Sequence, residues 1–119
     1  MKELTKIAIK LEDYLMADTP LNEGALLLKL SEINKYLVIT SRALAEAKLY
    51  QEETIATLFT DYHLEMIDMP ASIAKEFLKG LNRKANHLVN WLERLNRTLV
   101  HTGENTRAQL SFIQQQLKQ

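Results

Sequence analysis

The histidines and carboxylates are the residues of this chain whose types could support catalysis or bind a metal ion. His87 and His101 are about four helical turns apart, roughly 21 Å, which is too far to share one ion. His63 and Glu65 are two positions apart and point to different sides of a helix. The sequence lacks the histidine and carboxylate spacings of zinc proteases and di-iron bundles. A metal site assembled between helices stays open as the alternative.

Nucleophilic and paired acid–base chemistry find equally little support. The chain has no cysteine, which excludes disulfides, thiolate metal sites and cysteine nucleophiles. The glycine patterns that bind phosphates or dinucleotides, and the serine-hydrolase elbow, are missing from the sequence. Glu52 and Glu53 are adjacent and diverge around a helix, so their spacing gives no sign of a shared cavity. We therefore predict a protein that is not an enzyme and has no cofactor.

A row of basic and amide residues in the second half is the best candidate for a binding site. Its members recur at spacings of three and four residues, together with His87 and His101, on the face opposite the leucine seam. The candidate residues are Lys79, Arg83, Asn90, Arg94 and Arg97. Lysine and arginine displace the counterions of a phosphate backbone, and asparagine can hydrogen-bond phosphates or bases. The row predicts a surface for nucleic acid or a protein partner, unless it is simply a solvated face.

The distribution of charge leaves a second explanation of that row open. The chain has a formal net charge of zero, with 15 basic and 15 acidic residues. Residues 1–70 hold seven basic against twelve acidic residues, and residues 71–119 hold eight against three. Either the acidic half folds onto the basic half, or the basic surface awaits a partner. Trp91 lies beside the seam, where a large ring covers the edge of a core, with base stacking as the alternative.

The apolar periodicity predicts three helices separated by two proline-containing breaks. The first helix covers about residues 3–17 and ends before Asp18, Thr19 and Pro20. The second covers about residues 20–66, with Thr19 as its N-cap, and its apolar stripe shifts after Ala47. That shift predicts a change of packing partner near residue 50. The third covers about residues 71–117, after Pro70.

The third helix carries the most regular pattern. Six leucines and one alanine recur at alternating spacings of three and four residues over three heptads, which is typical of a coiled-coil seam. The seam positions are Leu78, Leu81, Ala85, Leu88, Leu92, Leu95 and Leu99. Polar residues continue the register, and the apolar pattern restarts one position displaced after Gly103. Gly103 either ends the helix or marks a shift within a longer one.

These elements predict an all-α fold, a single domain over residues 1–119 built as an elongated antiparallel helical hairpin. About three helices, two of them long, form a coiled-coil-like bundle. Apolar residues off the narrow seam predict self-association, most simply as a dimer. They are Leu27, Leu28, Val38, Ile39, Val89, Trp91 and Phe112. Without a transmembrane segment or a secretory signal, we expect a cytoplasmic protein of a bacterial host that has no membrane partner.

Part of the sequence is similar to small all-helical proteins of phages and prophages of Bacteroides-type hosts, often encoded among DNA replication and recombination genes. The similar segments are residues 93–98, Thr102, Arg107, residues 110–112 and, in the centre, residues 41–47. The resemblance implies a phage accessory setting and assigns no activity or functional residue.

From the residues and this resemblance we predict a non-enzymatic helical interaction protein that self-associates and binds a protein partner. The alternative is a nucleic-acid-binding accessory factor of phage DNA recombination or replication that uses the basic row.

Overall fold

The computed structural model describes residues 1–118, and every regular element in that range is an α-helix. The four helices are α1 (Lys2–Met16), α2 (Glu23–Met66), α3 (Ala71–Leu81) and α4 (Arg83–Leu117). The chain measures 73 × 26 × 18 Å. The predicted all-α class and elongated shape are confirmed, whereas the number of helices is four instead of about three.

The long helices α2 and α4 run antiparallel and pack along most of their length. Gln114, near the end of α4, lies 3.5 Å from Glu23 at the start of α2. Further along, Lys48 of α2 lies 3.8 Å from Glu93 of α4. This arrangement is the predicted hairpin, because residues at the end of α4 contact residues at the start of α2.

The short helix α1 packs on both long helices over the middle of the hairpin. Leu4, Ala8 and Leu11 of α1 are buried in one cluster with small side chains of α2 and the leucine seam of α4. The members from the long helices are Ala43, Ala47, Leu88, Val89, Leu92, Leu95 and Leu99. Since α1 has only 15 residues, about 22 Å, the three-helix core covers less than half of the hairpin.

The predicted third helix is divided at Asn82, which corrects the range 71–117. Asn82 is 4% exposed, and both the oxygen and the nitrogen of its side-chain amide form hydrogen bonds with α2. The Thr54 hydroxyl donates to its Oδ1 at 2.6 Å, and its Nδ2 donates to the Gln51 carbonyl at 3.0 Å. The Asn82 backbone has φ −93° and ψ 21°, outside the helical range, and asparagine is a weak helix former. Leu81, placed in the seam by the heptad pattern, is 39% exposed beside this break.

Gly103 does not interrupt α4, so of the two alternatives left open for this residue the structure has the continuous helix. It is buried within a continuous helix, opposite Ile33 of α2. The nearby Thr106 is also buried, and its hydroxyl donates to the Thr102 carbonyl one turn earlier at 2.6 Å. Because that hydroxyl is satisfied within its own helix, polar residues can occupy the seam without ending it.

Replacing Gly103 by alanine is expected to stabilise the protein by about 0.5–1 kcal/mol, because glycine loses more backbone entropy in a helix. An added Cβ would meet the Ile33 Cγ2 atom at 3.5 Å, an ordinary van der Waals distance. Urea unfolding measures the change. Gly80→Ala is the control, because it adds a Cβ with nothing within 4 Å. A loss of stability at Gly103 alone would show that the α2–α4 contact is too tight for a methyl group.

Helix α2 begins three residues later than its predicted start at residue 20. Its N-cap is Asn22, whose side chain accepts the Ala25 N–H at 2.8 Å, and not Thr19. Both residue types cap helices well, and the bond to the first turn decides between them. The connection from α1 to α2 is therefore residues 17–22, with Pro20 outside either helix.

The packing partner of α2 changes beyond residue 54, in agreement with the predicted change near residue 50. Up to residue 47 α2 contributes to the cluster shared with α1 and α4, and from residue 59 onwards it lines a groove with α3. Tyr62 of α2 meets Phe77 of α3 edge-on, with ring centroids 5.9 Å apart. This end of the hairpin has two helices, because α1 does not extend to it.

Tyr14 provides a pH-dependent reporter of the contact between α1 and α2. Its ring lies against Tyr36, with centroids 4.5 Å apart, and its hydroxyl donates to the Lys29 carbonyl at 3.4 Å. Burial, and secondarily the Glu32 carboxylate, raise the pKa of Tyr14 to about 12.

We expect the free energy of unfolding to fall as the pH rises from about 10 to about 12. In this window the unfolded chain releases the Tyr14 proton while the folded chain still binds it, so proton release favours unfolding. In the Tyr14→Phe variant the free energy of unfolding, measured as a function of pH, should fall less steeply in this window. An unchanged slope in the variant would contradict the raised pKa of Tyr14 as its source.

Candidate interaction surfaces

The five residues of the predicted basic row are all exposed, but they do not lie on one helix. Arg83, Asn90, Arg94 and Arg97 belong to α4, whereas Lys79 lies in α3 on the other side of Asn82. The Asn86 side chain donates to the Lys79 carbonyl at 3.2 Å and so joins the two helices at the break. The regular spacing of the row therefore crosses the boundary between α3 and α4, so its residues belong to two helices.

The cations of the row form no ion pair with any carboxylate of residues 1–118. In this range one ion pair joins α2 to α4, between Lys48 and Glu93. Its cation comes from the acidic half and its anion from the basic half, the reverse of the predicted pairing. The two halves therefore do not neutralise each other by direct contacts, and the charges of the row face solvent.

Trp91 closes the edge of the core between α1 and α4. Its ring packs against the buried cluster, and its Nε1 donates to the Glu12 carboxylate at 2.9 Å. This is the covering role predicted from its position beside the seam. The His87 ring lies next to it, with centroids 6.0 Å apart.

Two shallow grooves between α1 and α4 meet at Trp91 and His87. One of them also contains Arg83 and Lys84, and the other contains Asn90 and Arg94. Three residues of the basic row, Arg83, Asn90 and Arg94, therefore line the α1–α4 contact. The position of Lys84 at this contact was not predicted, because the heptad pattern of α4 gives no sign of where α1 packs.

The surface of the hairpin is unusually rich in large apolar side chains. Within residues 1–118, eighteen of them are exposed, compared with fifteen buried hydrophobic residues. Five predicted off-seam positions are among them, namely Leu27 (49%), Leu28 (63%), Val38 (71%), Ile39 (43%) and Phe112 (60%). Val89, also predicted off the seam, is 5% exposed because α1 covers it. Where such side chains are neighbours, as Leu27 with Leu28 and Val38 with Ile39, exposed apolar surface is typical of interaction sites.

An apolar groove also opens at the two-helix end of the hairpin, between the last turns of α2 and the side of α3 that faces them. Its walls include Phe59, Met66, Ile67, Ala74 and Leu78, and its volume is about 710 Å³. No sequence pattern indicated this groove. It arises because the short α3 covers α2 incompletely, as its own lack of fully buried residues indicates.

The histidines lie in separate environments. His63 Nδ1 is 3.0 Å from the Thr60 carbonyl, and His101 Nδ1 is 3.4 Å from the Glu104 carboxylate. Among residues 1–118, no three histidine, aspartate or glutamate side chains form a group that could bind a metal ion. Across the same range, the helices lack the combination of length and apolar character needed to cross a membrane.

Comparisons of the chain with family models, with curated proteins and with solved structures found no match in any of the three.

Proposed function

We propose that this protein is a non-enzymatic helical accessory protein that associates with itself and binds a protein partner through its exposed apolar faces. We place it in the bacterial cytoplasm, encoded by a phage or prophage, on the basis of the sequence resemblance. The observation that supports the interaction role most strongly is the number of large apolar side chains left exposed along the hairpin.

The physical reason for association is that the core covers only part of the apolar surface of the long helices. A hairpin of two long amphipathic helices shields its apolar residues poorly unless further helices cover it. Helix α1 covers the middle alone, and both ends retain exposed residues such as Phe59 and Phe112. Association would remove this surface from water and lower the free energy of the folded state.

Thermal unfolding at a series of protein concentrations tests self-association. If the folded chains associate, mass action raises the Tm as the protein concentration rises. A Tm that stays constant over the whole series would contradict the self-associating part of the proposal.

Nucleic-acid binding is the second candidate, and the unpaired cations support it. Arg83, Arg94 and Arg97 are exposed and have no ion-pair partner in residues 1–118. Arg83 and Arg94 also line the two grooves that meet at Trp91. A row of such cations suits the charge and spacing of phosphates.

On this second candidate, Arg94→Ala is expected to weaken binding of labelled oligonucleotides, because it removes one phosphate contact. Fluorescence anisotropy over a salt series should show affinity falling as salt rises, with the slope reduced by about one in the variant. Arg107→Ala, an exposed arginine later in α4, serves as the control and should retain the wild-type slope. Flat titrations at low salt, or equal losses in both variants, would count against the basic row as a nucleic-acid site.

A further inference from the structure

The outer face of α2 carries apolar residues in pairs that recur every eleven positions. The pairs are Leu27 with Leu28, Val38 with Ile39, and Leu49 with Tyr50. Eleven residues make about three turns of an α-helix, so the pairs lie on one side of α2, roughly 16 Å apart. Five of the six side chains are among the exposed large apolar residues, and Tyr50 is half-buried.

In the described residues, Leu28 and Tyr50 at the two ends of this face border grooves shared with other parts of the chain, and the other four side chains line none of the grooves found. Helix α2 turns Ala43 and Ala47 towards the shared core and Ile33 towards Gly103 of α4. Val38 is 71% exposed and Leu49 is 55% exposed, although both lie in a stretch of α2 whose opposite side is fully buried. In this stretch α2 therefore carries large apolar side chains on two sides, and those of the outer side are left exposed by the fold.

The spacing on this face is symmetric about the point midway between Val38 and Ile39. If a second α2 lies antiparallel on the first with these midpoints together, Leu28 of each copy faces Leu49 of the other. Val38 and Ile39 then meet their own counterparts at the centre. A surface that matches itself under a two-fold rotation is what an isologous dimer requires, whereas an unrelated partner would give no reason for the symmetry.

Charged residues lie between the apolar pairs on this face, and the antiparallel alignment brings them close to charged residues of the second copy. Arg42 lies 3.4 Å from Glu46 of its own chain. In the antiparallel alignment Glu46 also falls within reach of Lys35 of the second copy, about one turn from the position it faces. Lys35 itself falls opposite Arg42 of the second copy, a like-charge contact that weakens the pairing.

We propose that the outer face of α2 is a homodimer interface, in which two copies pair antiparallel about the point between Val38 and Ile39. This inference rests on the self-association in the proposed function and specifies its partner, its surface and its register.

Disulfide cross-linking of single-cysteine variants tests the register, since the chain has no cysteine of its own. Leu28→Cys and Leu49→Cys, mixed and oxidised, should form a covalent dimer, because the two positions face each other. Neither variant should cross-link alone, because two copies of the same position lie about 30 Å apart. Ile39→Cys should cross-link alone, and Ser41→Cys, exposed on another side of α2, should not.

The outcomes separate this inference from the proposed function. A dimer by light scattering in which the Leu28→Cys and Leu49→Cys mixture gives no disulfide would overturn the interface while leaving self-association intact. A monomer at every concentration would overturn both. Cross-linking of Leu28→Cys with itself would indicate parallel pairing and would overturn the proposed register.

A charge substitution tests the same register without cysteine. Lys35→Glu replaces the like-charge contact with the facing Arg42 of the second copy by an opposite-charge one. Because Arg42 is directly opposite and Glu46 lies about one turn away, this gain exceeds the loss of the Lys35–Glu46 attraction, and the dissociation constant of the dimer should fall. Lys35 is exposed, and circular dichroism will verify that the helix content is unchanged. A dimer that dissociates more readily in this variant would contradict the antiparallel alignment.

Discussion

Replacing Leu92 by alanine is expected to lower the free energy of unfolding by about 2–5 kcal/mol, as for other fully buried leucines. Leu92 of α4 is 0% exposed and belongs to the cluster in which α1, α2 and α4 meet. Truncation removes apolar contacts with three helices at once. Because the surroundings are fixed by those helices, the cavity will collapse only in part.

Urea unfolding monitored by circular dichroism measures this loss, and Leu64→Ala provides the matched control. Leu64 is 72% exposed near the end of α2, so its truncation should change the stability by no more than about 0.5 kcal/mol in either direction. If the two substitutions destabilise the protein equally, Leu92 does not lie in a shared three-helix core.

Replacing Asn82 by alanine is expected to lower the free energy of unfolding by about 1–3 kcal/mol, because it removes buried hydrogen bonds. The Asn82 amide accepts from the Thr54 hydroxyl and donates to the Gln51 carbonyl, so it ties the α3–α4 break to α2. Gln51 also donates to the Asn86 side chain at 2.7 Å, which extends the same network. Alanine favours a continuous helix, and that gain offsets only part of the loss.

The control for this substitution is Asn105→Ala, an exposed asparagine inside α4. Because alanine has the higher helix propensity, the control should leave the stability unchanged or raise it slightly. An Asn82→Ala variant as stable as the wild type would show that α3 and α4 can join into one helix without loss, so the network would not be the cause of the break.

Periodicity predicted the helices well and their interruptions poorly. The heptads of the second half established the buried leucines from Leu88 to Leu99 and the antiparallel hairpin. The break at Asn82 was missed because a one-residue interruption leaves the apolar spacing on either side almost intact. The sequence left open whether Gly103 ends the helix, because the position of α2 at Ile33, which gives a small residue a packing role there, cannot be derived from the pattern of α4.

The sequence predicted only some of the exposed apolar residues, because the exposure of a side chain depends on which helices pack against it. Leu28 and Val38 were correctly placed off the seam, since their spacing does not fit one narrow stripe. Val89 was placed there as well, and it is buried only because α1 packs over it. Nothing in the local pattern of α4 encodes the position of α1, and for the same reason the grooves on either side of Trp91 could not be derived.

Sedimentation equilibrium over a wide range of protein concentrations shows whether the exposed apolar faces of the hairpin are interaction surfaces. The chain has a mass of 13.7 kDa. The account predicts an apparent mass that rises with concentration towards that of a dimer, and a lower apparent mass for Val38→Asp at the same concentration. An apparent mass equal to that of one chain at every concentration would contradict it.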